Sequence, residues 1–111
     1  MTEAATMATT ATAARRLLPP LTAKEQQELA AALVRDAMAM FRGKAGQTLA
    51  ITDASGASIT ARSKPLEVVE FRMRQYNACP ALFRFFLWRH EGELFDKLRA
   101  YYEETFPEVE L

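Results

Sequence analysis

The segment Leu82–Trp88, which reads Leu-Phe-Arg-Phe-Phe-Leu-Trp, most constrains the fold, because six of its seven residues are apolar. A surface helix buries one apolar stripe, whereas this segment carries apolar side chains on several sides. It must therefore lie in the middle of the fold or against a partner. The surface that covers this segment is thus the main question about function.

A long helix is predicted from about residue 80 to 105, with a break into two helices at Gly92 as the alternative. Its apolar residues fall on two lines of a helical wheel. The first line contains Phe83, Leu87, His90, Leu94, Leu98 and Tyr101, and the second contains Phe85, Trp88, Phe95, Tyr102 and Phe106.

Two further helices and a hairpin are predicted before this region. Thr22 and Glu25 have capping-box spacing, which predicts a helix over 23–42 followed by a C-cap at Gly43. Alternating residues predict a β-hairpin over 47–61, with a flexible loop as the alternative. Pro65 can begin a second helix, which ends before Pro80. Its predicted buried stripe is Leu66, Val69, Met73 and Tyr76.

The 111 residues fit one mainly α-helical domain over 21–111. It contains three helices, or four if the last one breaks at Gly92, and the hairpin is inserted between the first two. Residues 1–20 are rich in alanine and threonine and are predicted to be a disordered tail. An organelle transit peptide is the alternative for this tail.

Charge and cysteine content favour a soluble cytoplasmic protein, or an organellar one if the tail is a transit peptide. The 14 basic and 14 acidic residues cancel, so net charge does not favour binding to nucleic acid or an anionic membrane. Cys79 is the only cysteine and cannot form an intrachain disulfide. No apolar run approaches the roughly 18 residues of a membrane-spanning helix.

The sequence predicts that the protein is not an enzyme and has neither a cofactor nor a metal site. One histidine and one cysteine cannot form a zinc cluster or a CxxC redox pair. His90 follows an apolar line of the last helix, which favours a packed, hydrogen-bonded histidine over a catalytic one. Cys79 is interpreted as a small buried apolar residue rather than a reactive thiol.

The favoured function is therefore that of a small interaction or assembly protein, either a homodimer or a subunit of a larger complex. Aromatic residues and arginine dominate the energetics of protein interfaces. The residues predicted to contact the partner are Leu82, Phe85, Phe86 and Trp88.

A nucleic-acid-binding regulator is the alternative function. Arginines alternate with aromatic residues along the second half of the chain, and such pairs can bind phosphates and stack on bases. The residues proposed for this function are Arg72, Arg74, Arg84 and Arg89. The acidic C-terminal end of the chain argues against it.

Overall fold

A computed structural model describes residues 15–42 and 50–109, which form a mainly α-helical fold with a small antiparallel hairpin. In chain order the elements are α1 (Ala23–Ala39), β1 (Ala50–Thr52), β2 (Ser58–Thr60), α2 (Pro65–Ala78), α3 (Pro80–Trp88) and α4 (Glu93–Thr105). The predicted fold class is confirmed, in its four-helix form.

The capping box at the start of α1 is present as predicted. The Glu25 amide donates to Thr22 Oγ1 at 3.1 Å, and the Thr22 amide donates to Glu25 Oε1 at 2.9 Å. The hydrogen bond from the Thr22 amide to the Glu25 carboxylate, together with the Lys97 ammonium, holds the pKa of Glu25 below its ordinary value. The helix ends at Ala39, three residues before the predicted end. The predicted C-cap, Gly43, lies outside the described residues.

The hairpin lies between α1 and α2, as predicted. Ile51 pairs with Ile59, and the Gly56 amide donates to the Asp53 carbonyl at 3.1 Å to close the turn. Ile59 is buried between α1 and α2, together with Ala37, Val68 and Phe71. The hairpin therefore gains stability from the helices, as a two-stranded ribbon must. Residues 47–49 of the predicted hairpin lie outside the described residues.

Helix α2 has the predicted bounds, but only Tyr76 of its predicted stripe is fully buried. Its buried residues are Val68, Phe71, Arg72 and Tyr76. Leu66 is 69% exposed, and Val69 and Met73 are half-buried. The buried face of α2 differs from the predicted one because α2 packs against α1, the hairpin and α3, rather than against one helix.

The helix is interrupted between α3 and α4, so the single long helix is not formed. Gly92 has a φ of 126°, which residues with a side chain rarely adopt. Arg99 of α4 donates to the Leu87 carbonyl at 3.0 Å and also to the His90 carbonyl. These bonds satisfy carbonyl groups at the end of α3 that the break leaves without helical partners.

The segment before α1 is attached to the C-terminal end of the domain. Leu17 is 4% exposed and belongs to the main core, and the Tyr101 hydroxyl donates to the Arg16 carbonyl at 2.8 Å. The packed part of the chain thus begins before residue 21. Residues 1–14 of the predicted tail lie outside the described residues.

Candidate functional site

Three of the four predicted partner-contact residues are exposed on α3. Leu82 is 45% exposed, Phe85 is 51% exposed and Trp88 is 37% exposed. Phe86 is fully buried, and its ring packs against Tyr76, Phe83 and Phe95. Phe86 is therefore a core residue, and its assignment to the interface is corrected.

Trp88 belongs to a different surface from Leu82 and Phe85. The Arg84 guanidinium lies 4.1 Å from the centre of the Trp88 ring, and Tyr102 meets that ring edge-on at 6.1 Å. A cation stacked on an aromatic face is a stabilising contact. Arg84 and Trp88 thus contact each other and do not line the cleft described next.

Leu82 and Phe85 line an open cleft of about 340 Å³ where α2, α3, β1 and the end of α1 meet. Its lining residues are Met40, Ile51, Arg72, Gln75, Tyr76, Leu82, Phe85 and Arg89. Met40, at 41% exposure, adds a third exposed apolar side chain to this surface. We call this surface the α3 cleft.

A second depression lies next to the α3 cleft, beside the hairpin turn. This depression has a volume of about 470 Å³ and shares Gln75 and Leu82 with the cleft. Thr52 and Asp53 of the hairpin line its other side, together with Arg74 and Ala78 of α2. The two depressions are therefore adjacent on the surface.

A charged network lies at the base of the α3 cleft. Arg72 Nη2 donates to Asp36 Oδ2 at 3.0 Å, and Arg89 Nη2 donates to both oxygens of Asp36 at 2.7 and 2.9 Å. Arg72 also donates to the Tyr76 hydroxyl and, at 3.4 Å, to Gln75 Oε1. Residues from α1, from α2 and from the C-cap of α3 are therefore held in one arrangement.

The network has one positive charge in excess. Asp36 and Arg72 are the buried pair, with side chains 12% and 7% exposed, whereas the Arg89 side chain is 50% exposed. Arg72 Nε is buried and has no hydrogen-bond partner within the described residues. Burial raises the pKa of Tyr76 above its ordinary value, and the charge of Arg72 opposes that rise. Tyr76 thus stays neutral, and the charge of Arg89 faces solvent.

The four arginines of the nucleic-acid hypothesis do not form one patch. Arg72 is buried in the network, and Arg84 stacks on Trp88. Arg84 and Arg89 are five residues apart, which separates them by about 140° around the helix axis. Arg74 lies beside the hairpin turn. The hydrogen bond from the Ser55 side chain chiefly lowers the pKa of Asp53, and the charge of Arg74 adds a smaller contribution.

Asp36 was missed in the sequence, although a signal for it exists. It follows Leu33 by three positions and Ala32 by four, which places it on the buried side of α1. A carboxylate on that side needs a cationic partner. Arg72 lies four positions after Val68 and four before Tyr76, which places it on the buried side of α2.

His90 and Cys79 do not form a reactive site within the described residues. His90 Nδ1 lies 2.8 Å from the Phe86 carbonyl, and its ring stacks on Phe95 at 4.9 Å. The packed histidine is as predicted. Cys79 is exposed, so the prediction that it is buried was wrong.

A second apolar groove lies between α1 and α2. It has a volume of about 510 Å³ and is lined by Ala30, Ala31, Val34, Arg35, Pro65, Leu66 and Val69. No lining residue of this groove is aromatic, in contrast to the α3 cleft. We call it the α1–α2 groove.

Comparisons with protein-family models, curated proteins and solved structures found no match to this chain. Among the described residues, no group of three or more histidine, cysteine or acidic side chains is arranged to hold a metal ion. None of the helices described is long and apolar enough to cross a membrane.

Proposed function

We propose that this protein is a small, non-catalytic interaction or assembly protein that binds a partner protein in the α3 cleft. The observation that carries the proposal is the clustering of Met40, Leu82 and Phe85, which are 41–51% exposed, around one cleft. Contiguous exposed apolar surface of this kind is typical of interaction sites.

The chemical character of the α3 cleft supports it over the α1–α2 groove. Aromatic residues, methionine and arginine are enriched at protein interfaces, and the α3 cleft contains all three types. Leu66 of the α1–α2 groove is more exposed than Leu82, so the two leucines make a matched pair for testing which surface binds.

The contacts made by the polar residues support a non-catalytic function. Asp36 and Arg72 bond to each other at the base of the cleft, and His90 packs between aromatic rings. These groups are engaged in structural contacts rather than directed together at a substrate. We place the protein in the cytoplasm, because its lone cysteine cannot form an intrachain disulfide.

The proposal is tested by selecting binders from a phage-displayed library of random dodecapeptides on the full chain. Selected peptides should bind Leu82→Ser at least about tenfold more weakly, because the variant removes a large apolar contact. They should bind Leu66→Ser as well as the native chain. Failure to select any peptide, or a loss caused by Leu66→Ser instead, contradicts the proposal.

Self-association is tested separately by light scattering of the full chain at several concentrations. A homodimer formed through the α3 cleft should dissociate in Leu82→Ser and persist in Leu66→Ser. A native chain that remains monomeric at all concentrations assigns the cleft to a different protein. A dimer that persists in both variants shows that copies associate through another surface.

A further inference from the structure

On the basis of the proposed function, we infer that the α3 cleft binds a partner segment that presents a carboxylate next to an apolar side chain. Two arginines and no acidic residue line the described surface of the cleft. Asp36, behind them, neutralises one of the two positive charges. A partner carboxylate would balance the other.

Arg89 is the arginine that receives this carboxylate. Its side chain is half exposed, and its hydrogen bonds within the described residues all come from Nη2 and end on Asp36. Nη1 therefore remains able to donate to a partner. Because Asp36 already holds the guanidinium in place, little conformational entropy is lost when a second carboxylate binds.

Helix geometry sets the spacing between the partner's two groups. Leu82, Phe85 and Arg89 follow one another along one side of α3 and its C-cap. At 1.5 Å per residue, Arg89 lies about 6 Å from Phe85 and about 10 Å from Leu82 along the axis. An extended chain covers these distances in two or three residues. The partner therefore carries its acidic residue two or three positions from its apolar residue.

The shape of the surface favours an extended peptide segment over a compact ligand. The cleft lies next to the depression beside the hairpin turn, and the two share Gln75 and Leu82. A peptide can place successive side chains in two adjacent depressions. The partner is thus a segment of a protein that carries an acidic and an apolar side chain.

The probes for this inference are fluorescein-labelled dodecapeptides with one leucine and one glutamate, one to four positions apart in either order, in a serine–glycine background. Anisotropy with the full chain should show the tightest binding at a separation of two or three. Replacing that glutamate by glutamine should weaken binding about tenfold at 50 mM salt, because a charge-assisted hydrogen bond is lost. The difference should shrink at 500 mM salt.

Arg89→Gln should remove the difference between the glutamate and glutamine peptides, whereas the exposed control Arg62→Gln should retain it. If the glutamate and glutamine peptides bind the native chain equally, and both lose binding to Leu82→Ser, this inference is overturned. The proposed binding of an apolar side chain in the cleft then still holds. If Arg62→Gln reduces the difference as much as Arg89→Gln does, the attraction is non-specific and the inference is overturned. The inference is also overturned if none of the peptides binds. Displacement of the peptide by a single-stranded oligonucleotide would favour nucleic acid instead.

Discussion

At the scale of single residues, Asp36 determines the electrostatics of the candidate site. Its carboxylate is largely buried and accepts hydrogen bonds from two arginines, so neither of its oxygens is left unpaired. Removing one member of a buried pair leaves an uncompensated charge, which is far more costly than losing an exposed pair. The network therefore fixes the position of Arg89 beside the apolar part of the cleft.

Phe85 and Phe86 are neighbours in sequence and differ in burial, which gives a direct test of the core. Phe86→Ala should lower the free energy of unfolding by about 3–5 kcal/mol, because it opens a cavity among buried rings. Phe85→Ala should change it by less than about 1 kcal/mol. Urea-induced unfolding followed by Trp88 fluorescence measures both.

Similar losses for the two alanine variants would contradict this assignment of α3 faces. The sequence predicted Leu82, Phe85 and Trp88 as exposed contacts, but it could not separate Phe86 from them. Phe85 and Phe86 have the same side chain, and their burial depends on where Tyr76 and Phe95 lie. Those positions are set by tertiary packing rather than by local pattern.

At the scale of elements, the conformation of Gly92 decides how α3 and α4 are joined. Its φ of 126° suits glycine, and a Cβ added there would meet no heavy atom within 4 Å. Gly92→Ala should therefore destabilise the fold by about 1–3 kcal/mol through backbone strain alone. In a continuous helix the same change would instead stabilise the fold by about 1 kcal/mol.

The control for Gly92→Ala is Ala100→Gly, an exposed position inside α4. It should cost about 1 kcal/mol, because glycine is a poor residue within a helix. Thermal unfolding of the two variants measures both effects. A stabilising Gly92→Ala would show that α3 and α4 are one helix.

The bounds of the elements were more predictable than their buried faces. Pro65, Pro80 and the Thr22–Glu25 box act locally, so the sequence predicted the start of α1 and both ends of α2. The buried face of α2 depends on three neighbouring elements. Leu66 therefore remains exposed although its apolar spacing suggested burial.

At the scale of the whole molecule, the α3 cleft is assembled from residues far apart in the chain. Met40 follows α1, Ile51 lies in β1, and Leu82 and Phe85 lie in α3. The sequence showed which residues of α3 are apolar, but it could not bring Met40 and Ile51 beside them. A non-local site of this kind becomes visible only when the packing of all the elements is known.

Two-dimensional ¹H–¹⁵N NMR of the full chain, titrated with a library-selected peptide, tests the central claim most directly. If the partner binds in the α3 cleft, the largest shifts should occur at the amides of Gln75, Leu82, Phe85 and Arg89. The amides of Val34 and Leu66 should change little. The largest shifts at Val34 and Leu66 would place binding in the α1–α2 groove and contradict the account.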